Sequence, residues 1–308
     1  MLKLRKFEGL VAAPFTPMHS DGTINYDMVD TYYEFLEKNG ITGAFINGST
    51  GEGVSLTQKE KQLHAEQWAE CCKRGGKVRV INLVGGTSLE ECAENAIFSH
   101  EIGLSAIAIV APYYFKPADE EQLADFCAGI GEAVPEMPVY FYHIPVLTGV
   151  NMPMIKFLEK VSAVMPNFAG IKFTHEDFMD FLSCLNFREG AYDLLWGRDE
   201  CLLPALSLGC RGGVGSTYNY AAPLYHNLIK AFNDGDLSEA RRLQQMSINM
   251  ISLLGKYGGI ATGKAFMRYI GLDCGQFRLP VRNMTESRYR EFEKDVRSLG
   301  MDDMFSKI

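Results

Sequence analysis

The stretch VRVINLVGGTSLEECAENAIFSHEIGLSAIAIVA, residues 78–111, places a helical segment between two β-type segments. Val78–Val84 and Ala106–Ala111 are short and apolar, with Val and Ile prominent. Leu89–Ile102 between them repeats its apolar residues at helical spacing. Parallel strands need a crossover connection of a dozen or more residues, usually a helix, and this segment supplies one. The stretch therefore reads as one strand–helix–strand unit with parallel strands.

The same unit recurs on both sides. Leu10–Thr16 and Gly43–Asn47 precede it, and Val139–Ile144, Ala169–Thr174, Asp193–Gly197 and Gly212–Ser216 follow, making eight strand segments. Tyr26–Lys38, Gln58–Cys72 and Glu120–Ala133 add helical periodicity between them. Eight alternating units predict an α/β fold, a closed (β/α)8 TIM barrel. An open doubly wound sheet is the alternative. No GxGxxG links a strand to its helix, and Gly209–Gly215 fits neither that motif nor a P-loop.

Beyond about residue 220 the strand pattern stops. Pro223–Asp234, Leu237–Leu254, Thr262–Ile270 and Glu286–Leu299 read as helices, with Thr285 as an N-cap and Gly271 as a stop. The first of these completes the barrel. The expected division is residues 1–234 as the barrel carrying the active site and residues 235–308 as a C-terminal helical extension packed into the same unit.

Composition narrows the function. Thirty Lys and Arg face 38 Asp and Glu, a net charge of -8, which repels phosphate backbones and argues against a nucleic-acid partner. The eight cysteines form no CxxC pair and lie in apolar segments, so they read as reduced core residues. No His/Cys/Asp cluster has metal-ligand spacing, so neither a metal nor another cofactor is expected. The basic start MLKLRK leads into an apolar run broken by Pro14 and Pro17, unlike a secretory signal. No apolar run approaches the ~18 residues of a membrane span. The expected setting is cytoplasmic.

In such barrels the chemistry sits at the C-terminal ends of the strands. Strand six reads FAGIKFTH, and its alternation puts Lys172 and Thr174 on one face. If that face points inward, burial lowers the lysine pKa and frees an amine able to attack a ketone. The competing reading is a lysine that snorkels to the surface. Strand five reads PVYFYHIP; Tyr140 and Tyr142 share a face, and Tyr142 reads equally as a proton shuttle or as core packing. His143 lies on the other face and reads as structural. The turn NGSTGEG offers Ser49 and Thr50 hydroxyls and exposed backbone N–H groups suited to a carboxylate, or is an ordinary glycine-rich turn. Glu52 either caps that turn or is solvated. Asp199, Glu200 and Ser216, at the ends of strands seven and eight, suit a polyhydroxylated substrate; the two acids equally suit a helix N-terminus. Tyr113 and Tyr114, after strand four, read as packing residues, with the mouth of the barrel or a subunit contact as the alternatives.

Taken together, GSTGEG, YHIPVLTGV, GIKFTHED, WGRDE and GGVGSTYNY resemble the N-acetylneuraminate lyase and dihydrodipicolinate synthase family of class I pyruvate aldolases, over nearly the whole chain. The lyase branch is the more similar. The resemblance implies that Lys172 forms an imine with pyruvate and that Tyr142 transfers a proton. It implies that Ser49 and Thr50 bind the pyruvate carboxylate, and that Thr174, Gly197, Asp199, Glu200 and Ser216 contact a sugar. It implies a homotetramer, with Tyr114 at a position that reaches across a subunit interface in the synthases. The implied partners are small molecules only: sialic acid, pyruvate and N-acetylmannosamine. Synthases usually carry an arginine after the strand-five tyrosine to bind an amino-acid carboxylate; Leu147 stands at that place here. Arg198 has no assigned counterpart. The alternatives are another pyruvate aldolase of the family, either a dihydrodipicolinate synthase or a 2-keto-3-deoxy sugar-acid aldolase, and a non-catalytic sialic-acid- or pyruvate-binding barrel.

Overall fold

A computed structural model describes residues 5–308; residues 1–4, which begin the basic N-terminal stretch, lie outside the described residues. Eight strands form the centre: β1 (Gly9–Ala12), β2 (Gly43–Ile46), β3 (Arg79–Leu83), β4 (Ala106–Val110), β5 (Val139–His143), β6 (Phe168–Phe173), β7 (Asp193–Trp196) and β8 (Gly212–Gly215). All pair in parallel in chain order. The sheet closes where β8 returns to β1, with Gly9 opposite Gly212 and Ala12 opposite Gly215. The expected (β/α)8 barrel is the observed fold.

Outside the strands run α1 (Met28–Lys38), α2 (Gln58–Lys73), α3 (Leu89–Glu101), α4 (Glu120–Gly131), α5 (Pro145–Thr148), α6 (Met154–Val164), α7 (Phe178–Asn186), α8 (Leu202–Ser207) and α9 (Tyr218–Asn233). Three more helices follow: α10 (Leu237–Tyr257), α11 (Ala261–Tyr269) and α12 (Glu286–Ser298). Side-chain caps start many of them. Thr57 and Glu60 form a reciprocal capping box on α2, and Thr285 accepts from the Arg288 N–H on α12, as expected. Gly271, at φ 96°, stops α11 as expected.

Alternation along each strand divides the apolar residues into two cores. Val11, Phe45, Ile81, Ala108, Leu195 and Val214 fill the barrel interior. Leu10, Ile46, Ile109, Phe141, Ile171 and Trp196 face outward and pack with residues of the helical ring such as Trp68, Phe157 and Phe181. The base of the barrel is sealed by Phe7. Its N–H donates to Asp193 at 2.8 Å, Tyr140 Oη donates to the same carboxylate oxygen at 2.8 Å, and the Arg79 guanidinium lies 3.8 Å over the Phe7 ring. A closed base leaves the other end for a ligand.

Two expectations need correction. The strands stop earlier than the apolar runs do; β1 ends at Ala12, before Pro14, whose missing N–H cannot join a ladder. The freed residues build the loops of the site. Helix α9 starts at Tyr218 and not at Pro223; the proline sits inside, and Ala221 absorbs it with φ -134° and ψ 33°. The eight cysteines are free. Among the described residues no helix is long and apolar enough to cross a membrane, and no three His, Cys, Asp or Glu side chains group as metal ligands.

Candidate active site

The open end of the barrel holds a cavity of about 260 Å³, lined by Ser49, Thr50, Tyr142, Lys172, Thr174, Gly197, Asp199, Glu200 and Ser216 among others. All of the expected site residues except Tyr114 therefore meet in one place.

Lys172 sits on β6 opposite Tyr142 of β5 and Leu195 of β7. Its side chain points inward and only 4% of the residue is exposed. Nζ rests 4.0 Å from the centre of the Phe45 ring and 3.9 Å from that of Tyr142. It has no ion pair with any described residue. Burial therefore dominates and lowers the lysine to about 7, against the opposing pull of the Asp199 charge. A large fraction of Lys172 is then an unprotonated amine at neutral pH, which is the nucleophilic form. Snorkelling to the surface is ruled out by this placement.

The turn after β2 carries Ser49 and Thr50. Asn47 and Glu52 both take left-handed backbone, at φ 56° and 51°, and so fold the chain tightly over the barrel end. Gly53 is needed because a Cβ there would fall 1.9 Å from the Asn47 carbonyl oxygen. A buried hydrogen-bond chain holds the turn from behind. Trp68 Nε1 donates to His64 Nε2 at 3.0 Å, which leaves His64 Nδ1 to donate to Asn47 Oδ1 at 2.8 Å. Asn47 Nδ2 donates to Asn82 at 2.8 Å, and Asn82 to Ser99 at 2.9 Å. Burial lowers His64 to about 3, so it stays neutral and the chain keeps its direction.

Glu52 neither caps the turn nor faces water. It forms a buried ion pair with Lys264 of α11 at 2.7 Å and accepts the Arg278 N–H at 2.9 Å. Arg278 in turn donates to both oxygens of Glu60, at 2.9 and 2.5 Å. The C-terminal segment thus clamps the Ser49–Thr50 turn. The partners lie more than 200 residues apart, so adjacent sequence carried no sign of it.

Burial pushes the Tyr142 phenol up to about 12, opposed by the nearby Ser49 and Thr174 hydroxyls. Thr174 Oγ1 is buried without a hydrogen-bond partner among the described residues, which leaves a hydroxyl available to a ligand. Gly197 has no room for a side chain, since a Cβ would lie 1.9 Å from that same oxygen. His143 packs outward between Phe141, Phe173 and His175, away from the cavity, as its strand parity implies.

Asp199 is buried beneath the cavity wall. Burial raises it to about 7, opposed chiefly by hydrogen bonds from Thr217. Thr217 was not singled out in the sequence; its N–H and Oγ1 both meet Asp199 Oδ2, at 3.0 and 2.6 Å. Glu200 is partly exposed at the rim, 3.3 Å from Arg198 Nε, and Arg198 also pairs with Glu176. Tyr114 stands apart, 78% exposed beside the still more exposed Phe115. Tyr113 lines a second cavity, of about 350 Å³, that shares Ser49, Tyr142, Ile144, Leu147 and Ile260 with the first. A buried amine, a hydroxyl-lined turn and two carboxylates around one cavity suit covalent capture of a small keto acid that bears hydroxyl groups.

Comparison with known proteins agrees with this chemistry. Residues 6–299 match the model of the dihydrodipicolinate synthetase family. The N-acetylneuraminate lyase of Gallus gallus is 39% identical over 291 residues, covering 93% of this chain and 94% of the relative. Among solved structures, a Proteus mirabilis N-acetylneuraminate lyase superimposes with a TM-score of 0.92 at 34% identity, covering 96% of this chain and 99% of that one. The N-acetylneuraminate lyase (sialic acid aldolase) of Aliivibrio salmonicida gives a TM-score of 0.92 at 32% identity, covering 96% and 98%.

Proposed function

The chain belongs to the dihydrodipicolinate synthetase family, and we propose that it is a carbon–carbon lyase that cleaves N-acetylneuraminate reversibly to N-acetylmannosamine and pyruvate through an imine on Lys172. The observation that carries this reading is the Lys172 amine, buried between the Phe45 and Tyr142 rings and open to a cavity that Asp199 and Glu200 also line.

The neutral amine attacks the C2 ketone of the open-chain sugar acid, and loss of water with uptake of one proton gives the iminium. Ser49 and Thr50 hold the adjoining carboxylate. The phenol of Tyr142 is too weakly acidic to be ionised at neutral pH. It accepts the C4 hydroxyl proton as it passes its own proton to the substrate carboxylate. The C3–C4 bonding pair becomes the C2=C3 bond of an enamine as the C2=N π pair moves to nitrogen, releasing the aldehyde of N-acetylmannosamine. The enamine left on Lys172 is protonated at C3 and hydrolysed to pyruvate and free lysine. Thr174, Gly197, Asp199, Glu200 and Ser216 take the sugar hydroxyls. Leu147 on the cavity wall supplies no cation for the carboxylate of an amino-acid aldehyde, which favours the sugar over the synthase substrate.

The remaining features extend this proposal. Residues 235–308 form one unit with the barrel, supported by the Glu52–Lys264 pair. The protein assembles as a homotetramer, with Tyr114 and Phe115 covered by a neighbouring subunit, and works in the cytoplasm in sialic-acid breakdown. A pyruvate-release assay on N-acetylneuraminate tests the reading. Turnover that disappears in Lys172→Ala is expected; turnover with aspartate semialdehyde plus pyruvate and none with the sugar would overturn it.

A further inference from the structure

Thr217 occupies the N-cap position of α9, where a threonine hydroxyl ordinarily bonds a free helix N–H. Here it makes no such bond. The hydroxyl meets Asp199 Oδ2 at 2.6 Å and Tyr225 Oη at 2.6 Å, and Tyr225 Oη meets Ser247 Oγ of α10 at 2.8 Å. Thr217, Tyr225 and Ser247 are all essentially buried. Two residues of α10, one helical turn apart, thus support the same acid, because Gln244 Nε2 donates to the Asp199 carbonyl at 3.2 Å.

We propose that the hydroxyl chain Ser247–Tyr225–Thr217 positions the Asp199 carboxylate and sets which protonation state it presents to the sugar. This rests on the lyase reading of the cavity. The Thr217 hydroxyl is placed to donate to Asp199 or to Tyr225, and its one proton serves only one of them at a time. With Asp199 ionised, Thr217 donates to the carboxylate. With Asp199 protonated, the acid donates to Thr217, Thr217 donates to Tyr225, and Tyr225 donates to Ser247. No heavy atom has to move between the two states. Gly215 completes the seat, since a Cβ there would lie 2.0 Å from Asp199 Oδ1.

Thr217, Tyr225 and Ser247 are positioning residues; only Thr217 borders the cavity. The titratable groups that face Asp199 are Lys172 of β6, Tyr142 of β5, neighbouring Glu200, and Tyr218, Tyr220 and Tyr225 of α9. Lys172 favours the carboxylate and Glu200 opposes it. The Thr217 hydroxyl adds a charge-assisted hydrogen bond that exists only for the anion.

The test is a carbon-13 carboxyl titration of labelled protein, with the Asp199 resonance identified by its loss in Asp199→Asn. Thr217→Val keeps the side-chain shape and the backbone N–H but removes the hydroxyl. The Asp199 midpoint should rise by about one pH unit, and Thr217→Ser should restore it. Tyr225→Phe removes the competing acceptor for the Thr217 proton, so it should move the midpoint by less and in the opposite direction, and it serves if the valine variant fails to fold. With N-acetylneuraminate, Thr217→Val should raise KM about tenfold, move kcat less, and shift the acid limb of kcat/KM upward by the same unit. An unchanged midpoint in Thr217→Val, or a serine variant indistinguishable from it, overturns the inference. The titration needs no substrate, so it stands apart from any failure of the sugar to turn over.

Discussion

Replacing Lys172 by Met should abolish turnover and make the protein more stable. In the folded chain the lysine is lowered from 10.5 to about 7. At about 1.4 kcal/mol per pH unit, that shift equals about 5 kcal/mol of burial penalty. Between these two values the unfolded chain binds a proton that the native chain does not. The penalty is therefore full below about pH 7 and disappears as pH rises to 10.5, so relative stability is gained with pH across this window and lost as pH falls through it. At about pH 7.5 some 4 kcal/mol of it remains. Solvent reaching the cavity reduces the effect, so roughly 2–4 kcal/mol is expected. Methionine has no charge to desolvate and can lie between the Phe45 and Tyr142 rings with its sulfur against them. The assay is thermal unfolding of both proteins at about pH 7.5, 9 and 10.5. The variant should melt about 4–8 °C higher at the lowest pH, with the gap closing toward the highest. A variant that melts lower, or a gap that does not change with pH, would refute the claim that Lys172 is held as a strained amine.

Other outcomes follow from the same geometry. Tyr142→Phe should lower kcat by about 10²-fold or more while pyruvate still forms its imine on Lys172; near-normal turnover would leave Tyr142 as packing alone. Gly215→Ala pushes a methyl group into the Asp199 carboxylate and should raise KM for the sugar at least about tenfold with little change in pyruvate trapping, measured by steady-state kinetics. Glu52→Gln leaves Lys264 buried beside a neutral partner and should cost about 3 kcal/mol, read by thermal melting. An unaltered melting temperature would show that the clamp on the Ser49–Thr50 turn is slack.

The barrel was legible because each strand reports its own burial. AIAIV and FAGIKF are apolar on both faces, which only a sheet enclosed on both sides demands. Lys172 was legible for the same reason, as the one charge in such a segment, and its parity placed it inward with Thr174. What stayed hidden depended on distance through space. Thr217 lies 18 residues from Asp199 and nothing in the sequence singles it out; only the meeting of the β8–α9 junction with the segment after β7 turns its hydroxyl toward the acid. Glu52 and Lys264 are 212 residues apart; Glu52 alone reads as a cap or a solvated acid, and nothing in the sequence singles out Lys264. Pro223 misled the start of α9 because proline is common in a first turn, whereas here a local distortion at Ala221 carries it inside. Sequence pattern registers the side of an element that is buried. It does not register which two buried sides meet.

Borohydride reduction in the presence of pyruvate, followed by peptide mapping, tests the imine most directly. The account predicts one reduced three-carbon adduct, on the peptide that contains Lys172, and none in Lys172→Ala. Absence of the adduct, or its appearance on another lysine such as the buried Lys264, would contradict it.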